Sequence, residues 1–238
     1  MKNQMFQSMA AKSFVLSTLI VALCACNKSG LTPTTATLYC GDSIQLSFDG
    51  EPAVGLASNA PFVASVSEMG YVRANHVGQT RILPAMYSNV GPKYGLQDEC
   101  NVTVMPRYTY YEEPQYQYIG QSQADVIAAV GQPASVQNIE GDIFLTYGDI
   151  DKDDYVVTYA FSDNRMYAAQ VVHKTLTEKQ LREFLNERFS FVGYDDTTQE
   201  YLYLNADTED AATLLVLAYF SEGAWEIVYH KFTSADKI

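Results

Sequence analysis

Two phrases occur twice in the second half of the chain, and they restrict its possible folds more than any other feature. Phe161-Ser162-Asp163-Asn164 returns as Phe220-Ser221-Glu222-Gly223, 59 residues on, and Val172-His173-Lys174 returns as Tyr229-His230-Lys231, 57 residues on. Asp163-Asn164 and Glu222-Gly223 are residues that accept the left-handed backbone of a two-residue hairpin turn. Upstream of each copy stands a helix start, Ser122-Gln123-Ala124-Asp125 and Thr177-Glu178-Lys179-Gln180. In both, a hydroxyl that can accept from a free helix N–H is followed three residues later by an acid or amide that can reciprocate. Val126, Ile127, Ala129 and Val130 carry on the first helix until Gly131 and Pro133 stop it, and Leu181, Phe184 and Leu185 carry on the second. β-type runs follow at Phe144 to Tyr147, Tyr155 to Phe161 and Tyr201 to Leu204. Residues 108–238 are therefore expected to form an α+β domain made of two helix-plus-three-strand repeats, with the two sheets joined and both helices on one face.

Residues 37–106 read differently. Short β-type runs at Ser43 to Phe48, Val63 to Val66, Tyr71 to Ala74, Thr80 to Met86 and Cys100 to Met105 are separated by Gly, Pro, Asn and Ser. Runs at this spacing without helical periodicity predict a small antiparallel sandwich. Charge separates the two parts as well: Cys26 to Arg107 holds 6 acidic and 5 basic residues, and Tyr108 to Ile238 holds 22 and 8. Within the first part, Gly41, Ile44 and Leu46, then Ser58, Asn59, Pro61, Val63, Ala64 and Val66, then Gly70 and Val72, Gly78, Thr80 and Ile82, and finally Val102, Thr103 and Val104 follow one another in an order that resembles the group 2 bacterial immunoglobulin-like domain. The resemblance implies an all-β Ig-like sandwich serving as a spacer or adhesive module without an active site. Leu56 stands where that family usually has Trp.

At the N-terminus, Lys2 and Lys12 precede an apolar run from Phe14 to Ala25, long enough for an export signal and shorter than the ~20 residues that span a bilayer. It ends in Leu23-Cys24-Ala25-Cys26, which resembles the lipobox of bacterial lipoproteins. The resemblance implies that residues 1–25 are a lipoprotein signal peptide and that Cys26 is the lipidation site, anchoring the chain to the outer membrane at its periplasmic face or at the cell surface. Residues 26–36, rich in Ser, Thr, Pro and Gly, are expected to be a tether. Of four cysteines, Cys40 and Cys100 then remain. An even remainder in an exported chain points to a disulfide, with two free buried thiols as the other reading.

The chemistry is sparse. A formal net charge of -13 argues against nucleic acid as a partner, because phosphate binding is driven by Lys and Arg. No Gly-x-Ser-x-Gly, His-Glu-x-x-His, phosphate-binding or dinucleotide motif is present, so no catalytic residue, metal ligand or cofactor is assigned. The loop Gly148 to Asp154 begins like a calcium loop, but Asp154 and Ala160 stand where such a loop needs Gly and Glu, and an acidic hairpin is the simpler reading. His173 and His230 occupy equivalent repeat positions with no ligand neighbours at metal spacing.

Tyr108, Tyr110, Tyr111, Tyr116 and Tyr118 form the densest aromatic cluster; Tyr108, Tyr110, Tyr111 and Tyr116 are the candidate ligand-binding residues, either packed along an edge strand or exposed as a stacking platform for sugar rings or a partner. The phrase Asp125 to Pro133, set in the duplicated arrangement, resembles the β-lactamase inhibitor protein fold and related small envelope lipoproteins. That resemblance implies a concave sheet facing another protein. The expected function is a non-catalytic, membrane-anchored envelope lipoprotein that binds a protein, or alternatively a glycan at the tyrosines; a hydrolase using acidic residues has no motif behind it.

Overall fold

A computed structural model describes residues 30–85, 95 and 98–233. The expected signal peptide, residues 1–25, and the expected lipidation site Cys26 lie outside the described residues. The described residues are β-rich, with two α-helices and two separate main hydrophobic clusters among them, one built from residues 31–104 and the other from residues 111–229.

The first cluster is enclosed by ten short strands: β1 (Leu31–Thr32), β2 (Thr35–Tyr39), β3 (Ser43–Gln45), β4 (Ser47–Phe48), β5 (Glu51–Pro52), β6 (Leu56–Ser58), β7 (Ala64–Val66), β8 (Tyr71–Ala74), β9 (Gly78–Pro84) and β10 (Cys100–Met105). They form three sheets, ordered β1-β4-β5, β2-β10-β9-β6 and β3-β8-β7. Side chains alternate across a strand. Val72 and Ala74 of β8, Ile82 of β9, and Cys100, Val102 and Val104 of β10 accordingly point into the cluster, which also holds Leu38, Leu46 and Ala64. Gly70 opens β8 with φ +73°, and a Cβ there would lie 2.3 Å from the carbonyl oxygen of Ala53, so no other residue fits that turn unchanged.

Two expectations fail in this region. The segment expected to be a tether, 26–36, is folded from Leu31 onward: β1 pairs with β4, and Leu31 is buried in the cluster. The expected Cys40–Cys100 disulfide is absent, and both thiols are free. The strands that carry them do lie side by side, but in parallel, with Asn101 opposite Thr35 and Met105 opposite Tyr39. Parallel pairing sends Cys40 past one end of the ladder and leaves Cys100 at the other, about 20 Å away at ~3.3 Å per residue, whereas a disulfide needs Cα atoms within ~7 Å.

The second cluster lies on one face of a single eight-stranded sheet. Helix α1 (Gln123–Val130) leads into β11 (Ser135–Ile139), β12 (Asp142–Tyr147), β13 (Tyr155–Ser162) and β14 (Arg165–His173). Helix α2 (Glu178–Asn186) leads into β15 (Ser190–Asp195), β16 (Glu200–Leu204), β17 (Leu214–Ser221) and β18 (Ala224–Lys231). The sheet order, β11-β12-β13-β14-β18-β17-β16-β15, is that of two antiparallel meanders joined along β14 and β18. Each helix is therefore followed by four strands, not the three expected; the strands missed are β11 and β15, the two edges. Both helices begin with the reciprocal caps anticipated, Ser122 with Asp125 and Thr177 with Gln180. Ladder parity puts Leu145, Tyr159, Ala169, Tyr229, Val216 and Tyr203 in one cross-sheet row on the clustered face. Helix α2 adds Leu181, Phe184 and Leu185 to this cluster, all completely buried, while α1 adds only Val126 to that degree.

Candidate functional site

Among the described residues, neither α-helix packs on the other face of the sheet. The same parity places Phe144, Ala160, Ala168, His230, Leu215 and Leu204 in one row across it. Thr146, Thr158, Gln170, Val228, Leu217 and Leu202 form the next row, and Val156, Val172, Glu226, Tyr219 and Glu200 a third. Phe144, Val172, Val228, Leu217 and Leu202 are half-buried. One corner is closed by Phe232, which packs on Leu204 and Leu215.

The polar groups of this face partner one another. Glu226 accepts from the Gln170 amide at 2.7 Å and from the Tyr219 hydroxyl at 2.9 Å, and the hydroxyls of Thr146 and Thr158 are 3.2 Å apart. Burial and the Glu226 carboxylate push the Tyr219 phenol up to about 12, so it stays a neutral donor. Side chains already satisfied in this way shed little water when an apolar surface lies down on them.

The candidate tyrosines sit on the opposite side and do not form an open platform. Tyr111 is buried: its ring stacks on Phe184 at 4.0 Å and its hydroxyl lies 3.0 Å from that of Tyr229. Tyr116 stacks on Tyr229 at 5.3 Å, and its phenol is pushed up to about 12 by burial. Tyr108 and Tyr110 stack on each other at 5.7 Å, and the Tyr110 hydroxyl donates to Glu183 of α2 at 2.8 Å. The segment 108–118 is a strap packed between helix α2 and the sheet. Tyr111 is a core residue of that strap, whereas Tyr116 is half-buried against the cluster and also lines a pocket with Gln117, Ile119, Met166 and Tyr167.

His173 and His230 are brought together no better. The ladder slips by one residue at Ala160/Phe161, opposite Met166 to Ala168 of β14, and a one-residue slip reverses every side chain beyond it. His173 therefore turns inward, edge-on to Tyr111 and Tyr155 at 5.9 Å, while His230 stays on the open face. Burial holds the His173 imidazole below its usual range. In the acidic loop, Asp149 pairs with Lys152, and the Asp153 carboxylate accepts from the Asp149 N–H at 2.7 Å. Among the described residues no group of three or more His, Cys, Asp or Glu could hold a metal ion. Desolvation raises the Cys40 thiol to about 11 and the Cys100 thiol to about 12, which keeps both protonated and unreactive.

A second polar centre, at the seam between the two clusters, gave no signal in the sequence. Glu187 follows α2 and is only 7% exposed, yet its carboxylate accepts from the backbone N–H of Arg107, at 2.8 and 3.1 Å, and of Tyr108, at 3.0 Å. Its own carbonyl accepts from the N–H of Val77 at 2.7 Å. Arg188, 9% exposed, pairs with Glu113 at 2.9 Å, donates to the carbonyls of Phe184 and Tyr108, and lies 3.5 Å over the Phe184 ring. Arg107 in turn donates to the carbonyl of Cys40 at 2.9 Å and pairs with Asp42. A Glu-Arg pair just after a helix reads in sequence as an ordinary solvated end. Only the fold returns residues 107–113 to it.

No protein-family model and no curated protein matches the chain. Among solved structures, an extracellular protein containing a SCP domain from Bacillus anthracis str. Ames is similar at 13% identity, with a TM-score of 0.31 over 50% of this chain and 47% of that one. A cysteine-rich secretory protein from Staphylococcus aureus subsp. aureus Mu50 is similar at 8% identity, with a TM-score of 0.29 over 50% of this chain and 45% of that one. The chain spans about half the length of each. What the fold itself defines is a class: a β-rich chain in which an open antiparallel sheet face stands beside a separately packed group of short strands.

Proposed function

We propose that this chain is a membrane-anchored cell-envelope lipoprotein in which the open face of the eight-stranded sheet docks another protein, and in which the Ig-like first part is the spacer that holds the sheet away from the lipid on Cys26. The observation that carries this reading is the open face itself. Its rows run from β12 to β16, half-buried Phe144, Val172, Val228, Leu217 and Leu202 stand among them, and Gln170, Glu226 and Tyr219 partner one another, a mixture of apolar area and internally paired polar groups that suits an interface. The reading agrees with the export signal, the lipobox and the resemblance to the β-lactamase inhibitor protein fold. The glycan alternative is weakened by the burial of Tyr111.

Cross-linking in native envelopes, followed by purification of the full lipidated chain, tests the reading. Leu217→Glu puts an unpaired charge at the centre of the face, and the docked protein is expected to be lost while the variant keeps its circular dichroism spectrum. A stoichiometric partner that Leu217→Glu retains, or recovery of polysaccharide with no protein, would overturn the proposal.

A further inference from the structure

The two edges of the sheet are not alike. At β15 the ladder slips between Phe191 and Gly193, and a bulge of this kind blunts an edge against further pairing. At β11 all five pairs, from Ser135 opposite Thr146 to Ile139 opposite Asp142, are in unbroken register. Strand β11 contains no Lys, Arg, Pro or Gly that would guard it, and every one of its residues is exposed. Val136 is 61% and Ile139 53% exposed, one on each face of the sheet.

The hairpin fixes which amides are free. Glu140 and Gly141 have φ of 54° and 101°, so a two-residue turn closes on Ile139 and Asp142 as a hydrogen-bonded pair. Bonded pairs alternate along an antiparallel ladder, so Gln137 and Ser135 also bond inward, and the N–H and C=O of Val136 and Asn138 point away from the sheet. They form a short template for one more strand.

Charge selects the occupant. Beyond Ile139 lie Glu140 and Asp142; beyond Ser135 lies the loop with Asp149, Asp151, Asp153 and Asp154, where Lys152 and Lys174 offset only part of the charge. A second copy pairing antiparallel through β11 would set one acidic end against the other. We infer that β11 binds an extended segment of a partner protein by strand addition, and that this segment has uncharged, β-branched residues in the middle and Lys or Arg at both ends. The added strand bonds to Val136 and Asn138, covers Val136 and Ile139, and neutralises the two acidic ends. The inference rests on the protein-docking reading and names a second surface and a partner chemistry for it.

The probe is the synthetic peptide Lys-Lys-Thr-Val-Thr-Val-Thr-Lys-Lys, labelled for fluorescence anisotropy, with a version carrying Glu at both ends as control. The full chain is expected to bind the Lys-ended peptide at least about tenfold more tightly than the Glu-ended one, and more weakly as salt is added. Val136→Pro removes one outward N–H where an edge tolerates proline, and should weaken binding about tenfold. Glu140→Lys, on an exposed turn that leaves the ladder intact, should narrow the preference between the two peptides. Hydrogen exchange at the Val136 and Asn138 amides should slow when the peptide binds. Absence of binding, equal binding of both peptides, unchanged affinity in both variants, or a chain dimer dissolved by Val136→Pro would each overturn the inference. If the edge fails while Leu217→Glu still releases the cross-linked partner, the docking reading stands without it; if the peptide binds as expected and that partner is retained, the edge stands and the open face does not.

Discussion

At the scale of single residues, the seam holds a charge arrangement whose pH dependence can be derived. Burial raises the Glu113 carboxyl above the ordinary glutamate range, and the Arg188 guanidinium beside it pulls the other way. An acid whose folded-state value is raised binds more protons folded than unfolded, so its contribution to stability is largest in acid and is lost as pH rises through the raised value. Arg188→Ala removes the opposing charge and raises Glu113 further, leaving a buried carboxylate without its partner at neutral pH. Such a break costs about 3 kcal/mol or more. The variant is therefore expected to lose about that much in urea unfolding near pH 7, and the deficit should shrink as pH falls and Glu113 takes up its proton. A deficit independent of pH would assign the loss to the hydrogen bonds of Arg188 with Phe184 and Tyr108 alone. Neither residue was legible beforehand, because a charge is recognised as buried only when its partner, 75 residues away, is known to lie beside it.

The two helices show how much of the architecture was written locally and how much was not. Both starts were legible to the residue, because the Ser122–Asp125 and Thr177–Gln180 caps depend only on neighbours three positions apart. The hairpins at Asp163-Asn164 and Glu222-Gly223 were legible for the same reason, and three of these four residues indeed have φ near +50 to +60°. The edge strands were not. A strand buried on neither side, such as Ser135-Val136-Gln137-Asn138-Ile139, has no reason to alternate apolar with polar residues, and β15 breaks its alternation at a bulge. The parallel pairing of β2 with β10 was equally hidden, since register between strands more than sixty residues apart leaves no local trace, and it cost the disulfide expectation. The face of the candidate site was half legible: the duplication gave one sheet with its helices on one side, but the inward packing of Tyr111 and Tyr116 came from the strap. The helices also predict unequal mutational costs. Phe184→Ala in α2 removes a ring buried against Tyr111 and Arg188 and should cost about 4 kcal/mol, whereas Ile127→Ala in the lightly buried α1 should cost about 1 kcal/mol. Urea unfolding of the two variants measures the difference, and equal losses would mean that α1 is packed as tightly as α2.

At the scale of the whole molecule the question is why two separate clusters should behave as one protein. The first is poor in the large side chains that make a core self-sufficient: its fully buried members are Leu, Val, Ile, Ala and Cys, on strands of two to seven residues. The second holds Tyr111, Tyr159, Phe161, Phe184, Phe189, Tyr203, Trp225 and Tyr229. A small domain with so little apolar area is marginal by itself. It therefore borrows stability through the contacts at Glu187, where one carboxylate fixes the backbone of Arg107 and Tyr108 and one carbonyl holds Val77. Glu187→Ala leaves two N–H groups without their charged acceptor while leaving both clusters intact, and bonds to a charged group are worth about 1.5 to 3 kcal/mol each. Scanning calorimetry is expected to show one cooperative transition for the unaltered chain. In Glu187→Ala that transition should split, the first part melting ahead of the second. The assignment follows from intrinsic fluorescence: Trp225 lies in the second cluster, so its signal should follow only the later transition. A single transition merely shifted downward in the variant would mean that coupling runs through the Arg107–Asp42 and Arg107–Cys40 contacts instead, and Arg107→Ala would then be the change that separates the two parts.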